Sequence, residues 1–112
     1  MNNALLAEIK ASFQTQNLLP LRRSFFLHED DGDFACPLVA LALRRGQLEL
    51  ADPGIEIAAL DAAAQTYGKE WTIGFLDGFD GQKQTNDDLN YVEGYALGLE
   101  AAQQLSPRDP PA

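Results

Sequence analysis

A ten-residue pattern occurs twice, twenty residues apart: Trp71-Thr72-Ile73-Gly74-Phe75-Leu76-Asp77-Gly78-Phe79-Asp80 and Tyr91-Val92-Glu93-Gly94-Tyr95-Ala96-Leu97-Gly98-Leu99-Glu100. Each copy reads aromatic, two residues, glycine, aromatic, two residues, glycine, apolar, acid. A glycine inside a helix costs about 1 kcal/mol relative to alanine, so four of them require a compensating gain. Glycines four apart lie on one helical face and remove the side chains that hold another backbone away. Trp71, Phe75 and Phe79, with Tyr91 and Tyr95, share the same spacing and can fill the space beside such a contact. The expectation is an antiparallel helical hairpin in which Gly74 and Gly78 meet Gly94 and Gly98. Phosphate cradles place their glycines in a strand-to-helix loop, and no strand signal precedes either copy.

The remaining periodicity is also helical. Leu5, Leu6, Ile9 and Phe13 make an amphipathic helix of Ala4 to Gln16, with Asn2 or Asn3 as its cap. From Cys36 the chain reads proline, then Leu38-Val39-Ala40-Leu41-Ala42-Leu43, then Arg44-Arg45 and Gly46. Proline suits a first turn, arginines suit the negative end of a helix dipole, and glycine suits the exit. Being apolar on nearly every side, this helix belongs at the centre. Asp52-Pro53 repeats the cap-and-proline start for a third helix that ends at Gly68. Trp71 to Asp80 and Leu89 to Leu105 supply the last two, joined by a polar linker, with Asn86, Asp87 and Asp88 as cap residues.

The segment Cys36-Pro37-Leu38 with Ala40-Leu41, Gly74 to Gly81 and Tyr91 to Gly98 together resemble a loose group of small bacterial proteins without an assigned activity. Over about thirty residues the paired glycine-aromatic helices are also similar to ribosome modulation factor. That family is basic and carries Cys-Pro between its helices, whereas this segment is acidic and Gln82 to Asn90 lacks it. The resemblance therefore implies helix packing rather than RNA contact.

Charge narrows the function. The 112 residues include 17 Asp plus Glu against 8 Lys plus Arg, a formal charge of -9. Residues 70 to 100 hold seven acids (Glu70, Asp77, Asp80, Asp87, Asp88, Glu93, Glu100) and one base, Lys83, a local balance of -6. Phosphate backbones are bound by neutralising them with Lys and Arg, so direct nucleic-acid binding is not expected. Nor is membrane binding, since no apolar run approaches the ~20 residues of a spanning helix. Arg22-Arg23 ahead of Phe25-Phe26-Leu27 imitates a twin-arginine signal, but the acidic stretch to Asp33 follows where an apolar core is needed. One lone cysteine fits a reducing, cytoplasmic setting.

Chemistry-bearing groups are few. His28 and Cys36 could form a nucleophile and base if a third group, Asp31 or Asp33, oriented the imidazole. The plainer reading is a surface histidine and a structural thiol at a helix start. Asp77 and Asp80, among Phe75, Leu76 and Phe79, are the best acid-base pair, although acids three apart on a helix usually form its wet face. Glu29, Asp30, Asp31 and Asp33 lack the ligand order of a calcium loop, and one His with one Cys falls short of a zinc site. No metal or cofactor is expected.

These readings predict an all-α fold: one domain of about five helices over residues 1–105, with a glycine-faced C-terminal hairpin and a disordered proline-rich tail, 106–112. Residues 18–35 are expected to wrap as loop, a hairpin through Asp31-Gly32 being the lesser option. The leading functional expectation is a non-enzymatic adaptor or inhibitor. It would bind a basic protein surface, with mimicry of nucleic acid as one route, through Asp77, Asp80, Asp87, Asp88, Glu93 and Glu100. The alternative is a small enzyme or ligand carrier with a pocket between the hairpin and the central helix.

Overall fold

The computed structural model describes residues 3–51 and 53–111. In chain order its elements are α1 (Asn3–Gln16), β1 (Leu19–Pro20), β2 (Phe26–Glu29), β3 (Gly32–Ala35), α2 (Pro37–Arg44), α3 (Ile55–Tyr67), α4 (Lys69–Phe79) and α5 (Leu89–Leu105). The expected caps Asn2 and Asp52 lie outside the described residues. The start of α3 falls to Gly54, in the left-handed region at φ 68°.

The all-α expectation is corrected by a three-stranded mixed sheet of order β1-β3-β2. Residues 26–35 are the antiparallel hairpin held to be the lesser option, with Phe26 opposite Ala35 and Glu29 opposite Gly32. Asp30 and Asp31 make its two-residue turn, and Gly32 supplies the φ of 148° that closes it. β1 joins β3 in parallel, and Leu21 extends the ladder by donating to the Ala35 carbonyl at 2.9 Å. The residues after α5, expected to be disordered, take the free edge of β1. Arg22 N–H donates to the Arg108 carbonyl at 3.0 Å, and Arg108 N–H donates to the Pro20 carbonyl at 3.2 Å. Strands this short carry no periodic signal of their own, and the acids in the turn hid the apolar pair Leu27 and Phe34.

α2 runs through the core, with every residue from Pro37 to Ala42 buried. α1 covers it with Leu5, Leu6, Ile9 and Phe13, and α3 covers it with Ala59 and Ala63. At the end of α2, Arg45 joins three helices. Its guanidinium donates to both Glu8 carboxylate oxygens at 2.8 and 2.9 Å and to the Tyr67 hydroxyl at 2.6 Å. These bonds raise the Arg45 pKa, and the same guanidinium holds the Glu8 carboxyl below its ordinary value.

The glycine faces do meet, but in the opposite sense from the expected hairpin. A Cβ built on Gly74 would fall within 3 Å of the Tyr91 carbonyl, and one on Gly78 would strike the Tyr95 carbonyl. Likewise Gly94 faces the Trp71 carbonyl and Gly98 the Phe75 carbonyl. Four residues up α4 are matched by four residues up α5, so the helices run parallel. The pairs exchange under the twenty-residue offset, which relates α4 and α5 by a local twofold along their axes. Each glycine Cα–H points at a carbonyl of the other helix, a recurrent weak hydrogen bond at close helix contacts.

A parallel pair needs a return path, and residues 82–88, which lie outside any helix or strand, provide it. At up to about 3.3 Å per residue that segment can span more than the roughly 16 Å length of α4. Two tyrosines fasten it: Tyr95 donates to the Gln82 carbonyl at 2.6 Å, and the buried Tyr91 hydroxyl accepts from Thr85 N–H at 3.1 Å. On the other side Tyr67, Trp71, Phe75 and Phe79 form a ladder of stacked rings with centroids 4.5, 5.3 and 6.1 Å apart.

Candidate functional site

Because α4 and α5 are parallel, their positive ends lie side by side, and acids there are stabilised by both dipoles. Glu70 is in the first turn of α4. Asp88 caps α5, accepting from Asn90 N–H at 2.9 Å and Tyr91 N–H at 3.2 Å. Asp87 and Glu93 are exposed beside it. Among them stands Leu89, 85% exposed at the first position of α5. It was not singled out from the sequence, although an apolar residue straight after two acids at a helix start was the available signal.

The other three acids expected to contact a partner lie toward the opposite end. Asp77 accepts the Tyr91 hydroxyl proton at 2.7 Å. Asp80 caps the end of α4 and binds Arg23 twice: its carboxylate accepts from Arg23 N–H at 2.8 Å, and its carbonyl accepts from Arg23 Nε at 3.1 Å. Arg23 is in the left-handed conformation at this contact, φ 66°. Burial raises the Asp80 pKa against the lowering effect of the Arg23 bond. Glu100 accepts from Gln104 at 2.7 Å. The six acids thus do not form one face: Asp77, Asp80 and Asp88 brace the fold, and Asp87 and Glu93 stand free of any hydrogen bond or ion pair among the described residues.

A groove of about 430 Å³ opens at the same amino end. Leu5 of α1, Tyr67 of α3 and Trp71 of α4 form one side, and Asn90, Glu93 and Leu97 of α5 form the other. No lysine or arginine lines it, and neither do Asp77 and Asp80, so the acid-base pair does not share it.

The structure separates His28 from Cys36. His28 lies on β2 with its side chain 79% exposed and its Nδ1 bonded to the Asp33 carboxylate across the hairpin. Cys36 is at the start of α2, and its N–H donates to the Phe25 carbonyl, three residues along the strand from His28, or roughly 10 Å. Burial pushes the Cys36 thiol up to about 12, the reverse of nucleophilic activation. Among the described residues no three His, Cys, Asp or Glu side chains are grouped to hold a metal ion, and no helix is long and apolar enough to cross a membrane.

No family model, curated protein or solved structure matches the chain.

Proposed function

We propose that the protein is a non-enzymatic interaction module that binds a basic surface of a protein partner through the amino end of the α4–α5 pair. The observation that carries this reading is Leu89, 85% exposed and bordered by Asp87, Asp88 and Glu93. An apolar anchor within a charged rim is how interfaces combine affinity with selectivity. The protein's own bases are largely engaged elsewhere: Arg22 with Asp109, Arg45 with Glu8 and Arg108 with Glu29. The acidic end therefore keeps its charge for an outside partner, and charge of this kind accelerates encounter more than it tightens a complex.

The test is kinetic. With a partner recovered by affinity capture, the association rate should fall steeply as salt rises, since exposed charges are screened beyond about 8 Å at physiological ionic strength. Asp87→Lys with Glu93→Lys should lower that rate at least tenfold, and Leu89→Ala should speed dissociation instead. A rate insensitive both to salt and to the double substitution would refute the acidic-end reading.

A further inference from the structure

The groove beside the acidic end is lined by Trp71, whose indole N–H has no partner among the described residues. Trp71 is only 6% exposed, and both faces of its indole are covered, by Tyr67 at 4.5 Å and Phe75 at 5.3 Å. Its N–H donates to no described group. Yet among the described residues no fully buried side-chain nitrogen or oxygen lacks a partner, so Nε1 keeps an edge of solvent contact, and the groove is the space that Trp71 lines. Drying a donor without giving it a partner forfeits its hydration with nothing in return. A molecule that fills the groove must therefore bring an acceptor to this point.

The other walls restrict the molecule further. Leu5 and Leu97 present apolar surface, Glu93 sets a carboxylate on the rim, and Asn90, one turn earlier on α5, offers both an amide donor and an acceptor. With no base in the lining and Asp87 and Asp88 beside the mouth, an anion is repelled and a cation attracted. An acceptor for the indole N–H, an aliphatic group against the leucines and a cation for Glu93 are together what a basic, partly aliphatic peptide supplies. The volume, about 430 Å³, lies in the range of small-ligand clefts.

Building on the acidic-end reading, we propose that this groove binds a short basic peptide segment of the partner. A backbone carbonyl accepts from Trp71 Nε1–H, an aliphatic side chain sits between Leu5 and Leu97, and a lysine or arginine pairs with Glu93.

Trp71 is the single tryptophan of the chain, so its fluorescence reports on the groove directly. The probes are a blocked tetrapeptide of alternating leucine and arginine and its leucine-glutamate counterpart. The arginine peptide should shift Trp71 emission saturably, and the glutamate peptide should not. By calorimetry Glu93→Gln should weaken binding about fivefold and flatten its salt dependence. Trp71→Phe, which keeps a stacked ring but loses the N–H, should weaken it about tenfold. Circular dichroism and thermal melts establish that each variant is folded, and Glu93, being exposed, gives a result even if Trp71→Phe does not fold. No saturable shift at millimolar arginine peptide, or binding that Glu93→Gln leaves unchanged, overturns the proposal. If the peptide fails while the captured partner still associates in a salt-dependent, Asp87-sensitive manner, the groove proposal falls and the acidic-end reading survives. Peptide binding with partner association indifferent to charge sustains the groove and removes the acidic end as the route of encounter.

Discussion

Between α4 and α5 two backbones touch because four side chains are missing, whereas between β1 and the residues after α5 two backbones touch because arginines and carboxylates pin them. The first contact is made at Gly74, Gly78, Gly94 and Gly98 against carbonyl groups. It involves no charge and cannot yield to any added atom without moving a helix. The second is made by two backbone hydrogen bonds with Arg22–Asp109 and Arg108–Glu29 around them. Its side chains are exposed enough to rearrange. Sterically determined and electrostatically determined contacts should therefore fail differently: the seam abruptly with any substitution, the sheet edge gradually with salt, pH and truncation.

The largest effect is expected at the seam. Gly94→Leu should destabilise by about 3 kcal/mol or more, the upper range of overpacking, because the Trp71 carbonyl it meets is backbone. Gly94→Ala is the sharper test. Helix propensity alone would stabilise it by about 1 kcal/mol, yet a Cβ there falls within 3 Å of Trp71, so the melting temperature should drop. A rise would show that the seam is open and would break the contrast. Direction is tested separately by nuclear Overhauser contacts, which should link Gly94 Hα with the Phe75 amide and Gly78 Hα with the Leu99 amide. An antiparallel pair would instead set Gly78 beside the start of α5.

The two regions also differ in how far they could be read from the sequence. The repeat announced which residues of α4 and α5 would meet, since glycine and aromatic spacing is a local signal. Direction was not part of that signal. The linker did carry it: residues 80–88 are too many for a tight helical turn and enough to run back along α4. The sheet was legible only as a lesser option. β1 has two residues, its partners come from β3 and from beyond α5, and its stability resides in pairs such as Arg108 with Glu29, 79 residues apart. No window on the chain contains both. At the candidate site, charge was visible but its division was not. Asp77 and Asp88 look alike in sequence to Asp87, yet the first two are occupied by Tyr91. The groove draws Leu5, Trp71 and Glu93 from three helices, a grouping set by the parallel seam.

Next in size is the junction at Arg45. Arg45→Met removes the partner of the Glu8 carboxylate and a donor to Tyr67, and should cost about 2 kcal/mol at neutral pH. The Glu8 carboxyl is lowered from its ordinary value of 4.5, chiefly by its bond to Arg45. A carboxyl with a depressed folded pKa contributes stability above its unfolded pKa and loses it as pH falls through the folded value. Wild type and variant should therefore differ fully above about pH 5 and converge in acid. A gap independent of pH would mean that Arg45 acts by packing its stem alone, moving this junction to the steric side of the comparison.

Cys36 gives an oppositely signed pH effect, confined to alkaline solution. Its thiol rises from 9.0 to about 12 through burial, so between those values the unfolded chain releases a proton that the folded one retains. Stability should be fully present at neutral pH and fall by about 1.4 kcal/mol per unit above about pH 9. Cys36→Ala should flatten that slope, and thiol reagents should label the native protein much more slowly than the unfolded one. Labelling as fast as a free thiol would contradict the burial on which this sign depends.

The smallest effect is expected at the sheet edge. The Arg108 guanidinium lies 4.4 Å from the Phe34 ring centroid and donates to both Glu29 carboxylate oxygens at 3.2 Å. With side chains 37% and 28% exposed, the pair is worth no more than about 1 kcal/mol, and the ring contact about 0.5 to 1 kcal/mol. Arg108→Ala should therefore lower stability by about 1 kcal/mol, and the loss should shrink at high salt while the effect of Gly94→Ala does not. Hydrogen exchange gives the local readout. Arg22 N–H donates to the Arg108 carbonyl and Leu21 N–H to that of Ala35, so removing residues 107–112 should expose the Arg22 amide and spare that of Leu21. If both amides exchange as before, the chain end does not dock on β1. If both are lost together, the whole β1–β3 contact depends on the tail, and the edge is as cooperative as the seam.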